Sequence, residues 1–138
     1  MKRTFSVLLL LLAAGFAVAQ TAQQPPRIVF QMMTGDTLAH KALMRQLGNI
    51  TSLQPDVRIE VVCHGPGLDM VHQQHSVVAD RIKQFHARGV QFSACEFSMK
   101  ERKVSKEQIL SDVGFVPSAI LHIAKRQDEG WSYIKSGF

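Results

Sequence analysis

The chain has 138 residues, of which 16 are basic and 11 acidic, and its formal net charge is +5. A charge excess this small, without basic residues interleaved with aromatic ones, does not indicate a nucleic-acid-binding protein; we interpret it as a mildly basic surface that attracts small anions. The length suits one domain with one core, and no segment after the N-terminal one is apolar for long enough to cross a membrane.

Residues 1–19 have the layout of a secretory signal peptide. Lys2 and Arg3 form a basic start, residues 5–18 are nearly all apolar, and Ala17-Val18-Ala19 is a small-residue cleavage pattern. The apolar run is short for a bilayer span, so we predict cleavage after Ala19 rather than a stable membrane anchor. Residues 20–26 are a polar, proline-ended flexible lead-in, residues 27–138 form the domain, and the predicted location is the periplasm.

Strand-like and helix-like patterns alternate from Arg27 onward. Apolar runs bounded by turn signals predict five strands, at residues 27–33, 57–63, 90–95, 113–117 and 131–135. Apolar residues at helical spacing predict helices at residues 36–53, at residues 68–88 and from Pro117, and a capping box of Ser105 and Gln108 predicts a short helix at residues 105–110. Asp36 or Thr37 can cap the first of these helices. This alternation indicates an α/β fold with a mostly parallel five-stranded sheet and helices on both faces.

The segments that follow the first three strands are the predicted site, because ligands of such sheets collect beyond the carboxyl ends of the strands. Cys95 is the leading candidate there, as a reactive thiol at the edge of the sheet that is open to solvent. A thiol reacts as its thiolate, which nearby positive charge stabilises, and Lys100, Arg102 and Lys103 follow closely, whereas the charge of Glu96 acts in the opposite direction. From spacing alone, a structural role as a small buried residue at the sheet edge is an equal alternative.

The second cysteine, Cys63, ends the second strand beside His64. Two cysteines in an exported protein suggest a disulfide, but the geometry of neighbouring parallel elements can hold the sulfur atoms too far apart. A Cys-His pair can be an activated nucleophile. However, adjacent residues of a strand point to opposite faces, which favours a structural role for Cys63. His64 can reach the sheet edge from the turn and stays a candidate site residue.

Metal binding has weaker support. His72 and His75 stand three residues apart, as metal ligands can on a helix, and with the methionines and cysteines they could serve copper. No compact Met-x-Met or His-x-His cluster is present, so we predict neither a metal nor a cofactor. Trp131 and Tyr133 are interpreted as core or interface anchors.

Four segments together resemble a known family: "RIVFQMMTGD", "IEVVCHGPGL", "GVQFSACEFSMKERKVSKEQIL" and "GFVPSAILHIAKRQDEGWSYIK". The set is similar to the DsrE/DsrF-like sulfur-relay family, and closest to its exported single-domain members. The resemblance runs from about Arg27 to Lys135. Its most specific parts are the strand-ending cysteine followed by a Met-Lys loop and the closing Gly-Trp-x-Tyr-Ile-Lys.

The resemblance implies a three-layer αβα fold of flavodoxin-like topology that assembles as homotrimers or homohexamers. It also implies that the cysteine after the third strand, here Cys95, carries sulfur as a persulfide and passes it to a partner thiol. Many relatives have Asn-Thr one residue beyond this cysteine, where this chain has Phe97-Ser98. An asparagine there can bond to the loop backbone, and Phe97 cannot.

Two functions from different classes are therefore expected. The first is a periplasmic sulfur carrier or sulfurtransferase with Cys95 as nucleophile; its supporting residues would be His64, Lys100, Arg102 and Cys63, and its sulfur donor and acceptor thiol protein are unidentified. The alternative is a non-catalytic oligomeric module, either one that binds Cu(I) or a small anion or a purely structural one whose cysteines are buried.

Overall fold

The computed structural model describes residues 24–137, so the predicted signal peptide and residues 20–23 of the predicted lead-in lie outside the described residues. The strands are β1 (Arg27–Met32), β2 (Arg58–Cys63), β3 (Gln91–Cys95), β4 (Gly114–Val116) and β5 (Ser132–Ser136). The α-helices are α1 (Thr37–Leu53), α2 (Ala79–Ala87), α3 (Glu96–Glu101) and α4 (Ala119–Asp128), and two 3-10 helices span Gly65–Val71 and Lys106–Gln108. Within residues 24–137 no helix has the length and hydrophobicity that a membrane span needs.

The five strands form one sheet in the order β4-β3-β2-β1-β5, and every neighbouring pair is parallel. The register pairs Met32 with Cys63 and Cys63 with Ala94, so β1, β2 and β3 end at nearly the same level. We call this end of the sheet the carboxyl edge. The predicted α/β fold with a five-stranded parallel sheet is confirmed.

Helices pack on both faces of the sheet and divide the core in two. The face that carries α1 and α2, called the α1 face, holds the larger cluster, which includes Leu43, Ile82 and Phe92. The opposite face, called the α4 face, has a smaller cluster made of Val29, Val62, Cys95, Val116, Ala119, Ile123 and Trp131. Alternate residues of each strand enter alternate clusters, as the pleat of a strand requires.

The two longest helices begin at polar caps. Asp36 precedes α1, and its Oδ1 accepts a hydrogen bond from the Leu38 backbone N–H at 2.8 Å. Ser118 precedes α4, and its Oγ accepts from the Leu121 N–H at 3.5 Å. Each cap satisfies a donor that the first helical turn leaves without a partner. The predicted cap at Asp36 is confirmed, and the last helix begins at Ala119, two residues after Pro117.

A buried ion pair fixes α4 against the sheet. Glu60 of β2 is 4% exposed, and its carboxylate lies 2.6 Å from Nη2 and 3.0 Å from Nε of Arg126. Nε2 of His122, one turn earlier in α4, is 2.8 Å from the same carboxylate. The hydrogen bond with Glu60 raises the pKa of Arg126 above its ordinary value. Both α4 side chains therefore bind one acidic group in the middle of the sheet.

The prediction of one helix over residues 68–88 is wrong. The chain forms the 3-10 helix Gly65–Val71, an irregular segment, and then α2 at Ala79–Ala87. The irregular segment pairs with another loop instead: His72 forms an antiparallel bridge with Ile109, and the Gln73 N–H donates to Gln108 O at 2.8 Å. These hydrogen bonds to a distant part of the same chain take the place of helical ones at His72 and Gln73.

The segment after Cys95 is helical rather than a loop. The helix α3 begins at Glu96, directly after the last residue of β3, with no connecting loop between them. The predicted short helix at residues 105–110 is present as the 3-10 turn Lys106–Gln108, and its capping box of Ser105 and Gln108 is confirmed.

Candidate functional site

Cys95 lies at the carboxyl edge on the α4 face. It ends β3 and precedes α3, as its position in the sequence predicts. However, the prediction of an open thiol is wrong, because Cys95 is only 4% exposed. Val116 of the neighbouring strand and Ala119 of α4 belong to the same buried cluster, so a strand and a helix that are distant in sequence cover the thiol.

The Cys95 sulfur has one polar contact that is relevant to its chemistry. The backbone N–H of Ala119, the first residue of α4, donates to Cys95 Sγ at 3.3 Å. The amino end of a helix carries a partial positive charge, and N–H groups aimed at a sulfur atom stabilise a thiolate. The sequence does not reveal this contact, because Ala119 has no polar side chain.

Cys63 lies on the other face of the sheet from Cys95. Cys63 is fully buried in the cluster of the α1 face, whereas Cys95 is in that of the α4 face. Burial raises the pKa of the Cys63 thiol far above its ordinary value. Both cysteines are free thiols, and the sheet stands between them. The position of Cys63 on the opposite face does not support its predicted role in the site, and its burial agrees with the structural interpretation.

His64 shares a face with Cys95. Its backbone is extended, with φ −149° and ψ 168°, so the alternation of β2 continues one residue beyond Cys63 and turns His64 toward the α4 face. The register pairs Cys63 with Ala94, so the next residues, His64 just beyond β2 and Cys95 at the end of β3, lie near the same edge of the sheet. Burial lowers the pKa of His64, which favours the neutral imidazole.

Two residues that the sequence did not identify as site residues are connected to His64: Gln31 contacts His64, and Tyr133 contacts Gln31. Nε2 of Gln31, on β1, is 2.8 Å from Nε2 of His64, and Oε1 of the same amide accepts a hydrogen bond from the Tyr133 hydroxyl of β5. Tyr133 is 40% exposed and so lies outside the core, and its alternative role as an interface anchor stays a prediction, whereas the buried Trp131 is a core residue as predicted. The period-two alternation of β5 and β1 could have suggested that these side chains share a face.

Lys100 and Arg102, the two basic residues predicted to support Cys95, lie in different surroundings. Lys100 lines an open groove of about 300 Å³ together with Glu96, Phe97 and Pro117, next to the end of β3. Arg102 instead binds Asp69, with Nη2 and Oδ1 2.8 Å apart, so its charge is compensated away from Cys95. The structure therefore brings Lys100 close to the candidate site, and it does not bring Arg102 there.

A buried serine joins α3 to the turn after β2. Oγ of Ser98 accepts a hydrogen bond from the Gly65 N–H at 2.9 Å, and Ser98 is 6% exposed. Gly65 has a φ of +51°, a conformation that glycine adopts at little cost. The serine of Phe97-Ser98 thus holds the segment after Cys95 against the segment that contains His64.

The histidines proposed as metal ligands do not form a site. The rings of His72 and His75 are stacked with centroids 4.1 Å apart, and His72 Nδ1 accepts from the Gln74 N–H. Among residues 24–137 no group of three or more His, Cys, Asp or Glu side chains is arranged to hold a metal ion. Because the two cysteines lie on opposite faces of the sheet, they cannot ligate one Cu(I) ion together in this fold.

A family model described as the DsrE/DsrF-like family matches residues 13–136. The chain belongs to the DsrE/DsrF-like family. This membership supports a function of the sulfur-relay type, and the resemblance inferred from the four sequence segments is confirmed.

Solved structures share the fold of this DsrE/DsrF-like protein. A protein of unknown function from Methanobacterium thermoautotrophicum is 29% identical with a TM-score of 0.76, covering 80% of this chain and 98% of its own. A conserved protein of unknown function from Bacteroides thetaiotaomicron is 13% identical with a TM-score of 0.66, covering 85% of this chain and 98% of its own. No curated protein matches the chain.

Proposed function

We propose that the protein is a periplasmic sulfur-relay protein that carries sulfane sulfur as a persulfide on Cys95. The observation that carries the proposal is the environment of this thiol in a member of the DsrE/DsrF-like family. Its sulfur atom accepts a hydrogen bond from the first N–H of the ten-residue helix α4, and His64 follows the adjacent strand on the same face of the sheet.

The proposed reaction needs no oxidant or reductant. The Cys95 thiol first gives its proton to solvent, and the thiolate attacks the outer sulfur of a donor such as thiosulfate or polysulfide. A new S–S bond forms on Cys95, the S–S bond of the donor breaks, and the leaving group keeps the electron pair, as sulfite in the case of thiosulfate. An acceptor thiolate then attacks the outer sulfur, and Cys95 leaves as thiolate.

Access to the thiol is part of the proposal. Cys95 is covered by Val116 and by Ala119 of α4, and a hydrogen bond from the Phe97 N–H to Pro117 O, at 3.3 Å, joins the start of α3 to the segment before α4. Separation of Phe97 from Pro117 would open the groove beside Lys100 toward Cys95. Lys100 would then supply the charge that attracts an anionic donor.

The protein is also expected to form a homotrimer or homohexamer. Large apolar side chains remain exposed around the groove and on α4, among them Phe97 at 64%, Ile120 at 58% and Leu121 at 72%. Exposed apolar groups of this size commonly mark association surfaces. Sedimentation velocity of the mature chain, Gln20 onward, tests this expectation, and a monomer at micromolar concentration would contradict it.

Burial of both thiols favours one competing function, a non-catalytic oligomeric module in which the cysteines are structural. A Cu(I) site made by both cysteines is excluded, because they lie on opposite faces of the sheet. One experiment separates the two functions. The mature protein is incubated with polysulfide or thiosulfate and its intact mass is measured, for the wild type, for Cys95→Ser and for the matched control Cys63→Ser.

A relay protein gains whole sulfur atoms in the wild type and in Cys63→Ser, and Cys95→Ser gains none. Equal sulfur gain by Cys95→Ser, or no gain by the wild type with either donor, would refute the relay function at Cys95, and no gain would favour the non-catalytic module. Circular dichroism of the three proteins establishes that the substitutions leave the fold intact.

A further inference from the structure

Arginine side chains collect around the only tryptophan of the chain, at the end of the sheet opposite to Cys95. The guanidinium carbons of Arg27, Arg58 and Arg126 lie 5.9, 5.8 and 5.0 Å from the centre of the Trp131 ring. The ring is buried, and the first two arginines begin β1 and β2. We call this end of the sheet the amino edge. A strand of six residues places it about 17 Å from the carboxyl edge.

The register places two of these arginines directly opposite each other. Arg27 of β1 pairs with Arg58 of β2. Strand alternation sends Val29 and Val62 to the α4 face, so the two arginines are on that face as well. Like charges directly opposite each other on adjacent strands destabilise a sheet. Arg27 donates to the backbone oxygen of Glu129 at 2.9 Å, a bond that leaves its positive charge uncompensated.

The nearby carboxylates do not neutralise the opposed pair. Glu60 and Glu129 both bind Arg126, at 2.6 and 2.7 Å. No carboxylate of residues 24–137 forms an ion pair with either of the two opposed arginines. The amino edge therefore holds an excess of positive charge beside an aromatic ring.

A small cavity of about 120 Å³ opens next to the opposed pair. Its lining includes Arg58, Trp131, Gln91 of β3, and Arg88, which follows α2. Arg88 donates to Thr51 Oγ1 at 2.9 Å through one of its N–H groups, which holds the guanidinium in place and leaves its other donors for a ligand. Arg88 likewise forms no ion pair within the part of the chain that the structure describes. The cavity suits an ion of about the size of sulfate and is too small for a nucleotide.

We propose that this cavity binds a small, doubly charged oxyanion of the sulfate type between the guanidinium groups of Arg58 and Arg88, with the Gln91 amide as a further donor. Guanidinium groups bind such oxyanions through paired, charge-assisted hydrogen bonds. The bound ion also offsets the repulsion between Arg27 and Arg58. The Trp131 ring lines the cavity and stacks with Arg58, which keeps that guanidinium at the site. The site is independent of the proposed sulfur relay.

Trp131 reports on the site directly, because the chain has no other tryptophan. The chain from Gln20 onward is titrated with sodium sulfate at constant ionic strength, which sodium chloride maintains. Indole fluorescence and the indole N–H signal in NMR are recorded. The wild type is expected to show one saturable transition. Arg58→Gln should bind sulfate about tenfold more weakly, because it loses charge-assisted hydrogen bonds to the ion.

A matched control separates a specific site from a general effect of charge. Lys100→Gln removes one positive charge from the groove at the carboxyl edge, the other place where an anion would collect, and should bind sulfate as the wild type does. A response that grows without saturation would indicate an adventitious ion only and would overturn the proposal. Equal affinities of the wild type and Arg58→Gln, or an equal weakening in Lys100→Gln, would overturn it as well.

A second variant keeps the test decisive if Arg58→Gln does not fold, which circular dichroism establishes. Arg88→Gln removes the other proposed ligand, which comes from a different element of the fold, and should also weaken sulfate binding about tenfold. Sulfate binding by a folded Arg88→Gln at the wild-type affinity would contradict a site shared by the two arginines.

Discussion

Replacing the buried carboxylate that holds α4 is expected to cost much of the stability of the protein. In Glu60→Gln the amide keeps one acceptor oxygen but loses the negative charge that three contacts share, at 2.6 and 3.0 Å to Arg126 and 2.8 Å to His122. Removing one partner of a buried ion pair costs about 3–5 kcal/mol. We expect the low end, about 3 kcal/mol, because the Arg126 side chain is 26% exposed and water screens it in part.

For a chain of this size that loss corresponds to a decrease in melting temperature of about 10 °C. Thermal and urea denaturation at neutral pH measure it. Glu129→Gln is the matched control, because Glu129 also pairs with Arg126, at 2.7 Å, but lies at the exposed end of α4. Its loss should be much smaller. Equal losses for the two variants, or no loss for Glu60→Gln, would refute the idea that the buried carboxylate anchors α4.

Three further predictions concern the carboxyl edge. A Cβ on Gly67 would lie 2.2 Å from the backbone oxygen at the end of β1, so Gly67→Ala should lower the free energy of unfolding in urea by about 3 kcal/mol. At Gly48 the nearest neighbour of an added Cβ is 3.9 Å away, so Gly48→Ala should raise it by about 0.5 kcal/mol. Equal effects of the two substitutions would contradict the packing around Gly67. Burial lowers the pKa of His64 from its ordinary 6.5, so just below pH 6.5 the unfolded chain binds more protons than the folded one. The free energy of unfolding should therefore fall as the pH drops below 6.5. If its pH dependence is the same in His64→Gln as in the wild type, His64 is not the cause. Under native conditions a small alkylating reagent should label Cys95 faster than Cys63, since only Cys95 lies next to the surface groove; preferential labelling of Cys63 would be inconsistent with the fold.

The element pattern was predictable where local signals and tertiary packing agree. The strands end in turn residues, and Asp36 caps α1 as its side chain suggests. The prediction of one helix over residues 68–88 was wrong because, after Val71, the backbone of His72 pairs with Ile109 instead of continuing a helix. No local pattern encodes such a bridge, since its two sides are distant in sequence.

The candidate site was predictable only in part, for a related reason. Strand endings located Cys95 and His64 at one edge, and side-chain alternation separated Cys63 from them. The cover over Cys95 comes from Val116 and α4, whose packing a single segment does not reveal. The N–H of Ala119 and the amide of Gln31 were missed because a backbone donor and a common polar side chain leave no motif.

The most direct test of the account is a transfer experiment with labelled sulfur. The chain from Gln20 onward is loaded from ³⁵S-labelled polysulfide, freed of excess donor, and mixed with a small acceptor thiol, with Cys95→Ser and Cys63→Ser treated in parallel. The account predicts that label binds at Cys95 in the wild type and in Cys63→Ser and then leaves with the acceptor. Label that binds equally well to Cys95→Ser, or that stays on the protein after the acceptor is added, would contradict a reversible sulfur carrier at Cys95.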